Sequence, residues 1–360
     1  MESEQRYPQS SKPQSSLYTP QLEHDSCGIG CIAHLKGEAS HQIITDALGM
    51  LCNMEHRGAR GCDPQTGDGA GILIQLPDAF LRQMALKVGI TLPAKGSYGA
   101  GNVFFPQDAA LRLECKAIIA EQCEKLNFNV LGYRPLDTYA QAAQIGTEAL
   151  ETEPVWEQLF VVSNHNLSGI DLERRLYLLR RSTAHKVREH IVEAGDDFYF
   201  TSLSHRTMVY KGQLRTDQVG PYFGDLHDER VVSALALVHS RFSTNTFPKW
   251  RLAQPFRYIA HNGEINTIAG NVNWMRAKES IMRSAHFSDE ELQMLMPICD
   301  EAFSDSGNLD AVVELLVMSG RSLPHVMMML IPEAWQEHTL MDPDRKAFYD
   351  FHATLMEPWD

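Results

Sequence analysis

His24-Asp25-Ser26-Cys27-Gly28-Ile29-Gly30 marks the point at which a polar leader gives way to a globular pattern. Residues 1–26 are rich in Gln, Ser, Pro and Glu and carry few large apolar side chains, which predicts disorder. The segment CGIGCIAHL at 27–35 then predicts a buried strand, and Gly28 and Gly30 permit another segment to approach its backbone closely. Cys27 is thus the first residue of the folded pattern.

A thiol in that position suggests a chemical use. If the leader is removed, Cys27 carries a nucleophilic thiol and a free α-amine, whose pKa near ~8 lets it act as the neighbouring base. We therefore predict that residues 1–26 are a propeptide removed on maturation, which leaves Cys27 as an N-terminal nucleophile. The alternative for an isolated cysteine is a buried, inert thiol.

The composition excludes several classes of partner. The chain has 360 residues, of which 44% are apolar and 22% charged, as in a globular protein. Its formal net charge of -14 argues against nucleic acid or an anionic membrane surface as a partner. The sequence has no apolar run of ~20 residues and no secretory h-region, so we expect a cytoplasmic protein. Seven cysteines without a C-x-x-C pair indicate reduced thiols rather than disulfides, structural zinc or an iron–sulfur cluster.

Hydrophobic periodicity predicts strands and helices in similar share, without a repeating β-α-β unit, which favours an α+β layered sandwich. A hairpin-like junction is expected between the strands at 198–203 and 207–211. The predicted strands lie at 27–35, 72–76, 102–105, 127–133, 156–163, 198–203, 207–211, 231–239 and 256–261. The predicted helices lie at 41–56, 78–88, 109–126, 171–193, 264–280 and 308–319.

Two features of the sequence invite a phosphate-binding interpretation. The glycines of TGDGAG at 66–71 precede a strand and not a helix, so they do not predict a dinucleotide site. The helix at 171–193 carries four clustered arginines, which we interpret as a solvated or interdomain face, with a phosphate site as the alternative. The four are Arg174, Arg175, Arg180 and Arg181.

Two polar stretches follow predicted strands, where binding pockets are commonly built. HSRFSTNT at 239–246 comes directly after the buried strand at 231–239, and AHNGEIN at 260–266 comes after the strand at 256–261. The Asn262 amide and the Gly263 N–H offer two neutral donors for a tetrahedral oxyanion. Taken singly, Asn262-Gly263 is also an ordinary turn.

These stretches together resemble the class II glutamine amidotransferases, which are N-terminal-nucleophile hydrolases. The shared motifs are CGIG at 27–30, EHRG at 55–58, HSRFSTNT and HNGEIN. The longer runs MEHRGARGCDPQTGDGAGI and FSTNTFPKWRLAQPFRYIAHNGEINTIAGNVNWM are similar to the glutaminase domains of glutamate synthase large subunits, and the resemblance extends from about residue 20 to the C-terminus. It implies a four-layer αββα sandwich, with two antiparallel sheets between helix layers.

The resemblance also implies catalytic roles. Cys27 would attack the side-chain amide of L-glutamine and release ammonia, and water would free glutamate from the γ-glutamyl thioester. The Asn262 side chain and the Gly263 N–H match the oxyanion hole. Arg57 and Gly58 match a loop that packs against the nucleophile.

The substrate-binding residues are implied in the same way. Arg241 matches the residue that binds the glutamine α-carboxylate, and its guanidinium suits a bidentate carboxylate contact. Thr244 matches a nearby hydroxyl contact, and Asp305 matches the acid that binds the α-amino group. Arg241 could instead form a structural ion pair, and Asp305 could be a helix N-cap. We interpret His239 and His261 as structural, since in this class the α-amine is the base.

Beyond this domain, the resemblance implies a longer enzyme of which the sequence is an N-terminal piece, with residues 27–360 forming a truncated amidotransferase domain. FMN and a 3Fe-4S cluster are implied for the other domains, where ammonia would meet 2-oxoglutarate, and no cofactor or metal is expected here. The implied partners are L-glutamine, the synthase domains, and a small reductase subunit or ferredoxin. The electron donor stays open.

Two rival functions fit the same residues. One is the glutaminase domain of another class II amidotransferase, such as those that make glucosamine phosphate or phosphoribosylamine. The segment between about residues 80 and 200 and the FPKWRLAQPF run argue against it. The other is a catalytically silent interaction domain, which would keep its leader because an uncleaved Cys27 has no free amine.

Overall fold

The computed structural model describes residues 28–58, 63–195, 197–241 and 247–360, and in them two four-stranded antiparallel sheets carry helices on their outer faces. The strands are β1 Ile29–Ala33, β2 Ala70–Gln75, β3 Tyr98–Phe105, β4 Phe128–Pro135, β5 Val155–Ser163, β6 Tyr199–Phe200, β7 Thr207–Gly212 and β8 Leu235–Ser240. The α-helices are α1 His41–Asn53, α2 Asp78–Lys87, α3 Ala109–Lys125, α4 Ala140–Ala143, α5 Thr147–Glu151, α6 Gly169–His190, α7 Val219–Tyr222, α8 Ile268–Glu279, α9 Asp289–Leu295, α10 Asp305–Met318, α11 Leu323–Leu330 and α12 Pro343–His352.

The first sheet has the strand order β1-β8-β2-β7 and pairs the first of the described strands with the last. In its register Val238 of β8 lies opposite Gly30 on one side and Ile72 on the other. Gly30 is needed there because a Cβ at this position would lie 1.9 Å from the Met50 sulfur of α1. Helix α1 therefore packs directly on β1 and β8, with its apolar side buried.

The second sheet has the strand order β4-β5-β3-β6, and its inner strand β3 is buried on both faces. Alternate residues of β3 belong to different clusters: Tyr98 and Phe104 pack with apolar residues of the first sheet, and Val103 and Phe105 pack with α3 and α6. Every residue of β3 is buried as a result. This explains why its sequence lacks the polar alternation of a half-exposed strand.

The predicted α+β fold with two antiparallel sheets between helices is confirmed. Helix α1 lies on the first sheet, β3 contacts β7 across the sheet interface, and α3 and α6 cover the second sheet. None of the described helices is long and apolar enough to cross a membrane.

The predicted hairpin between 198–203 and 207–211 is wrong. Strand β6 belongs to the second sheet and β7 to the first, so the chain changes sheets between them. Strand β7 forms one edge of its sheet, and polar side chains contact the backbone of Val209 there. The Asn102 amide and the Thr201 hydroxyl donate to the Val209 carbonyl at 3.2 and 2.9 Å, and the Val209 N–H donates to Ser202 Oγ at 3.2 Å.

The predicted strand at 256–261 is also wrong, because side chains take the backbone hydrogen bonds that a neighbouring strand would make. The buried Asp310 carboxylate of α10 accepts from the N–H groups of Arg257, Tyr258 and Ile259 at 3.3, 2.8 and 3.1 Å. The segment is thus an ordered loop. Phe256 and Ile259 are buried as the apolar residues of a strand would be, so the sequence pattern predicted a strand.

The arginines of α6 do not form a solvated or interdomain face. Arg180 is buried in an ion pair with Glu314 of α10, and Arg175 pairs with Glu291 of α9. Arg174 Nε donates to the Met318 carbonyl at 2.9 Å, and Arg181 donates to the carbonyl of Ile298 at 3.0 Å. These side chains connect α6 to α9, to α10 and to the segment that follows α9, so the prediction for this face is wrong.

Candidate active site

The end of β8 supplies the cationic group of the site. Arg241 directly follows β8, and its N–H donates to the Gly69 carbonyl beside β2 at 2.9 Å. The residue is 7% exposed. Burial lowers the pKa of the Arg241 guanidinium, and the charges of Asp68 and Asp305 oppose that shift. Since the reference pKa of arginine is so high, the group stays cationic at neutral pH.

The Asn262-Gly263 loop is fixed by side chains that bind the residue before it. The Gln254 Oε1 accepts the His261 N–H at 2.8 Å, and the Gln254 Nε2 donates to the His261 carbonyl at 3.0 Å. His239 Nε2 donates to the same carbonyl at 3.0 Å, which identifies the tautomer protonated at Nε2 because a carbonyl can only accept. The loop itself is exposed.

Helix α10 supplies the acidic group. Ser304 is its N-cap and accepts from the Gly307 N–H, so Asp305 is the first helical residue rather than the cap. The Asp305 Oδ2 accepts the Ile265 N–H at 2.9 Å, and Oδ1 accepts from the Ser306 hydroxyl at 3.1 Å. This carboxylate therefore connects the start of α10 to the loop that follows Gly263.

A hydroxyl–imidazole contact extends this connection. The Ser306 hydroxyl, which donates to Asp305, lies 2.9 Å from His261 Nδ1. A Cβ at Gly263 would lie 3.1 Å from His261 Nε2, so the imidazole packs against the Gly263 backbone. Helix α10 thus holds His261, whose ring in turn packs against Gly263 on the other side of Asn262.

Two glycines allow strand β1 and the 55–58 turn to approach Ser240, at the end of β8, closely. The Gly28 carbonyl accepts the Ser240 N–H at 2.7 Å. A Cβ at Gly28 would lie 2.4 Å from the Ser240 carbonyl oxygen and 3.2 Å from the Asn262 Oδ1, so a larger residue would not fit. A Cβ at Gly58 would lie 3.1 Å from Ser240 Oγ. The residue after Cys27 therefore lies against Asn262.

One cavity of about 980 Å³ collects the predicted site residues that the structure describes. Its lining includes Gly58, Arg241, Asn262, Gly263 and Asp305. Its volume lies near the upper end of the ~300–1,000 Å³ typical of small-molecule sites.

Three other predicted site residues cannot be located in this way. Cys27 and Thr244 lie outside the described residues. Arg57 ends the 3₁₀ helix Glu55–Arg57, but its side chain is not described.

Sequence reasoning missed three residues that shape this site: Gln254, Ser306 and Asp310. Asp310 carried a signal, because it is a carboxylate between Leu309 and Val312 on a buried helix, where a charge needs partners. Gln254 and Ser306 carried none, since their partners lie in other segments.

The glycines of the 66–71 turn make room for neighbouring backbone. A Cβ at Gly67 would lie 2.3 Å from the Leu214 carbonyl, and one at Gly71 would lie 2.8 Å from the Gln254 carbonyl oxygen. Gly69 has a φ of 139°, which a glycine adopts readily. This turn is therefore the packing surface for the 253–254 segment.

The cavity offers groups that complement an amino acid with a side-chain carbonyl. Arg241 can bind a carboxylate and Asp305 an ammonium, and the Asn262 amide and Gly263 N–H are neutral donors. Among the described residues, no three His, Cys, Asp or Glu side chains form a group that could hold a metal ion.

A sequence profile of the family described as "Glutamine amidotransferases class-II" matches residues 27–360. The chain belongs to the class II glutamine amidotransferases. The family match begins at Cys27, the first residue after the polar segment 1–26.

Several relatives of this amidotransferase chain are glutamate synthases. The glutamate synthase (NADPH) large chain of Bacillus subtilis (strain 168) is 48% identical over 345 residues, 96% of this chain and 22% of the relative. The glutamate synthase (NADH) of Schizosaccharomyces pombe is 46% identical, over 96% of this chain and 16% of the relative. The chloroplastic ferredoxin-dependent glutamate synthase 2 of Arabidopsis thaliana is 42% identical, over 94% of this chain and 21% of the relative. The chain spans about a fifth of the length of these relatives.

Proposed function

We propose that this chain hydrolyses L-glutamine to L-glutamate and ammonia through a γ-glutamyl thioester on Cys27, as the ammonia-supplying part of a glutamate synthase. The observation that carries the proposal is the arrangement around one cavity of Arg241, Asp305, Asn262 and Gly263, with Gly28 against the Asn262 side chain. The family match and the glutamate synthase relatives support the same assignment.

The binding step uses the charges of the cavity. The α-carboxylate of glutamine pairs with the Arg241 guanidinium, and Thr244 adds a hydroxyl contact. The α-ammonium pairs with Asp305, whose carboxylate is already oriented by the Ile265 N–H. With both ends of the zwitterion held, the side-chain amide extends toward Gly28 and so toward Cys27.

The chemical step uses the first residue of the processed chain. The α-amine of Cys27 accepts the thiol proton, and the thiolate attacks the amide carbon. The Asn262 amide and the Gly263 N–H donate to the oxyanion that develops, while the loop containing Arg57 and Gly58 packs against the nucleophile. The protonated amine then donates its proton to the amide nitrogen, the C–N bond breaks as the oxyanion collapses, and ammonia leaves. Water then hydrolyses the thioester.

In the whole protein, the ammonia would be used by synthase domains outside this chain, with 2-oxoglutarate as acceptor and a small reductase subunit or ferredoxin as partner. The described residues do not fit a 3Fe-4S cluster, because no three potential ligands lie together. We propose that the cluster, and FMN with it, belong to the other domains that the resemblance implies. We propose a cytoplasmic location, with the 26 residues before Cys27 removed.

The test is the mass and activity of the purified chain. Intact mass should show a chain that begins at Cys27, and that chain should form glutamate and ammonia from glutamine. Cys27→Ala should lower the rate on the order of 10³-fold or more. Cys31→Ala is the matched control, since Cys31 is an exposed free thiol on β1 and should keep the wild-type rate.

Two results would contradict the proposal. A chain that keeps residues 1–26 and hydrolyses no glutamine would favour the silent interaction domain. A processed chain that hydrolyses glutamine equally well with alanine at position 27 would exclude the thioester route.

A further inference from the structure

One buried amide makes both backbone hydrogen bonds of the residue before Asn262. Gln254 is 5% exposed, and its side chain accepts the His261 N–H and donates to the His261 carbonyl, as a neighbouring strand would. His261 precedes two residues whose donor groups must keep their positions for an oxyanion hole to work. The loop lies outside any strand, so the two Gln254 bonds replace those of a sheet.

Gln254 is itself held on a rigid support. The buried Lys211 of β7 donates from Nζ to the carbonyls of Ala253 and Arg251 at 2.7 and 3.1 Å. On the other side, Gly71 of β2 leaves room for the Gln254 carbonyl, which a Cβ would approach to 2.8 Å. Residues of the first sheet therefore hold the Gln254 backbone in place. The Gln254 side chain in turn fixes the His261 backbone through its two hydrogen bonds.

The second lone pair of the His261 carbonyl is also used. His239 Nε2 donates to it from the buried end of β8. Gln254 and His239 thus approach the same oxygen from two segments, and Gln254 alone also binds the N–H. Removing Gln254 would leave the N–H without that acceptor and the carbonyl with one donor fewer.

We propose that Gln254 is a positioning residue for the reaction, whose amide fixes the His261 backbone and thereby orients the Asn262 and Gly263 donors toward the developing oxyanion. This inference rests on the proposed glutamine hydrolysis. Gln254 touches no reacting atom in this account, and it acts on kcat because the donors matter most in the transition state.

The first test is Gln254→Met, which keeps the side chain's length and removes both hydrogen bonds. We expect kcat for glutamine to fall by ~10²-fold, the order lost when an oxyanion donor is removed or misplaced. The KM should stay within about threefold of wild type, because Arg241 and Asp305 are untouched. Chains are produced from Met-Cys27, so that loss of the initiator methionine exposes the amine without leader processing.

The second test is the pH profile of Gln254→Glu, which keeps the shape of the side chain. The ionised carboxylate can accept the His261 N–H but faces the His261 carbonyl with a like partial charge. The protonated acid can accept and donate as the amide does. The charged and titratable groups near this position are Lys211, His239, His261, Arg241 and Asp305, and the same cavity is also lined by His56, Glu264 and Glu301.

We therefore expect the ratio of the Gln254→Glu rate to the wild-type rate to rise as the pH falls from 8 to 5. Dividing by the wild-type rate removes the titration of the Cys27 amine and of the groups common to both chains. A side chain that only fills space would give a flat ratio.

Gln218→Met is the matched control. Gln218 is 1% exposed and also joins separate segments, because its amide donates to the carbonyls of Gln65 and Gln144 at 3.0 Å each. It does not line the cavity. The control should lose stability as Gln254→Met does while keeping kcat within about threefold of wild type.

The outcomes separate the two proposals. Wild-type chain that makes no glutamate contradicts the proposed function. Active wild-type chain with an unchanged kcat in Gln254→Met, or with an equal loss in Gln218→Met, overturns the positioning role. If Gln254→Met does not fold, the Gln254→Glu ratio decides, and a flat ratio overturns the inference.

Discussion

His239 is a buried imidazole that holds a backbone carbonyl at the edge of the cavity. It is 1% exposed, and its Nε2–H donates to the His261 carbonyl. Burial lowers the pKa of His239 to about 4, and the bond to His261 opposes this shift. The imidazole is therefore neutral at pH 7, as expected for a structural hydrogen-bond donor and not for an imidazolium acid.

The low pKa of His239 predicts a loss of stability in acid. The unfolded chain binds a proton near pH 6.5, but the folded chain does so only near pH 4, so the free energy of unfolding falls as the pH drops between these values. The loss should be roughly 3 kcal/mol, at ~1.4 kcal/mol per pKa unit. Urea unfolding at a series of pH values measures it.

Two variants check the assignment to this residue. His239→Gln and His239→Asn should both show a shallower fall between pH 6.5 and 4, although they differ in stability at pH 7. A remaining slope is expected from His185, because burial lowers its pKa to about 3. A slope equal to wild type in both variants would mean that His239 does not titrate as proposed.

For single residues, the sequence predicted which chemical groups line the site but not which side chains hold those groups in place. Arg241, Asn262 and Asp305 stand at segment ends with unusual polar neighbours, so their chemistry is visible in the sequence, and they line one cavity. Gln254 and Asp310 act on segments that the chain places beside them. Asp310 binds N–H groups about 50 residues away in sequence, and no local pattern encodes that distance.

Among the elements, α6 and α10 are joined by a buried ion pair. Arg180 and Glu314 are 4% and 6% exposed, and the guanidinium donates to the carboxylate. Arg257 and Asp310 lie in the same network, where the charge of Arg257 acts on both Arg180 and Asp310. Helix α10 carries Asp305 at its first position, so this pair helps to fix the acidic side of the cavity.

Replacing one partner of the Arg180–Glu314 ion pair should lower the free energy of unfolding more than replacing both partners. Arg180→Met should lower the free energy of unfolding by about 3–5 kcal/mol, because Glu314 is left as a buried unpaired charge. Arg180→Met with Glu314→Leu should recover much of that loss. Urea unfolding of the two single variants and the double variant measures the coupling. Strictly additive losses would show that the pair does not act as a unit.

Some helices and strands could be predicted from the local sequence pattern alone. Helix α1 and strand β5 follow their predicted bounds within three residues at each end, since each buries one continuous apolar pattern. The 256–261 segment has the same apolar content but bonds to Asp310. The strands at 198–203 and 207–211 are close in sequence, yet the chain crosses between sheets there. Such crossings depend on which sheet edge is free, and local periodicity does not contain that information.

In the whole molecule, residues 358–360 form hydrogen bonds with the start of α8, the helix that follows the Asn262 loop. The Asp360 carbonyl accepts the Thr267 N–H at 3.0 Å, and the Pro358 carbonyl accepts from the Asn271 amide at 2.9 Å. Between them, Trp359 is 3% exposed and its backbone N–H donates to the Leu330 carbonyl. Residues nearly 100 positions apart thus form one packing unit.

Trp359→Ala should weaken that unit and the site together. Loss of the buried indole should lower the free energy of unfolding by about 3–5 kcal/mol. The rate of glutamine hydrolysis should also fall, because α8 begins five residues after Gly263 and loses its support. Urea unfolding and an ammonia assay measure the two effects. Leu340→Ala, at a residue 91% exposed, should change neither.

The layered arrangement of the whole molecule could be predicted because long sequence motifs identify a family. Composition and periodicity alone predict only the α+β class. The burial of both faces of β3 is a whole-molecule property. It requires a second sheet on one side and α3 and α6 on the other, and the apolar run at 102–105 does not specify either.

The side chains along β7 have a consequence for self-association. An uncovered edge strand can recruit a strand from another molecule, and this is a common route to aggregation. At Val209 both the carbonyl and the N–H of the edge are already engaged by Asn102, Thr201 and Ser202. A foreign strand would have to displace three bonds made within the same chain at Val209, so these side chains disfavour the addition of a strand at this part of the β7 edge.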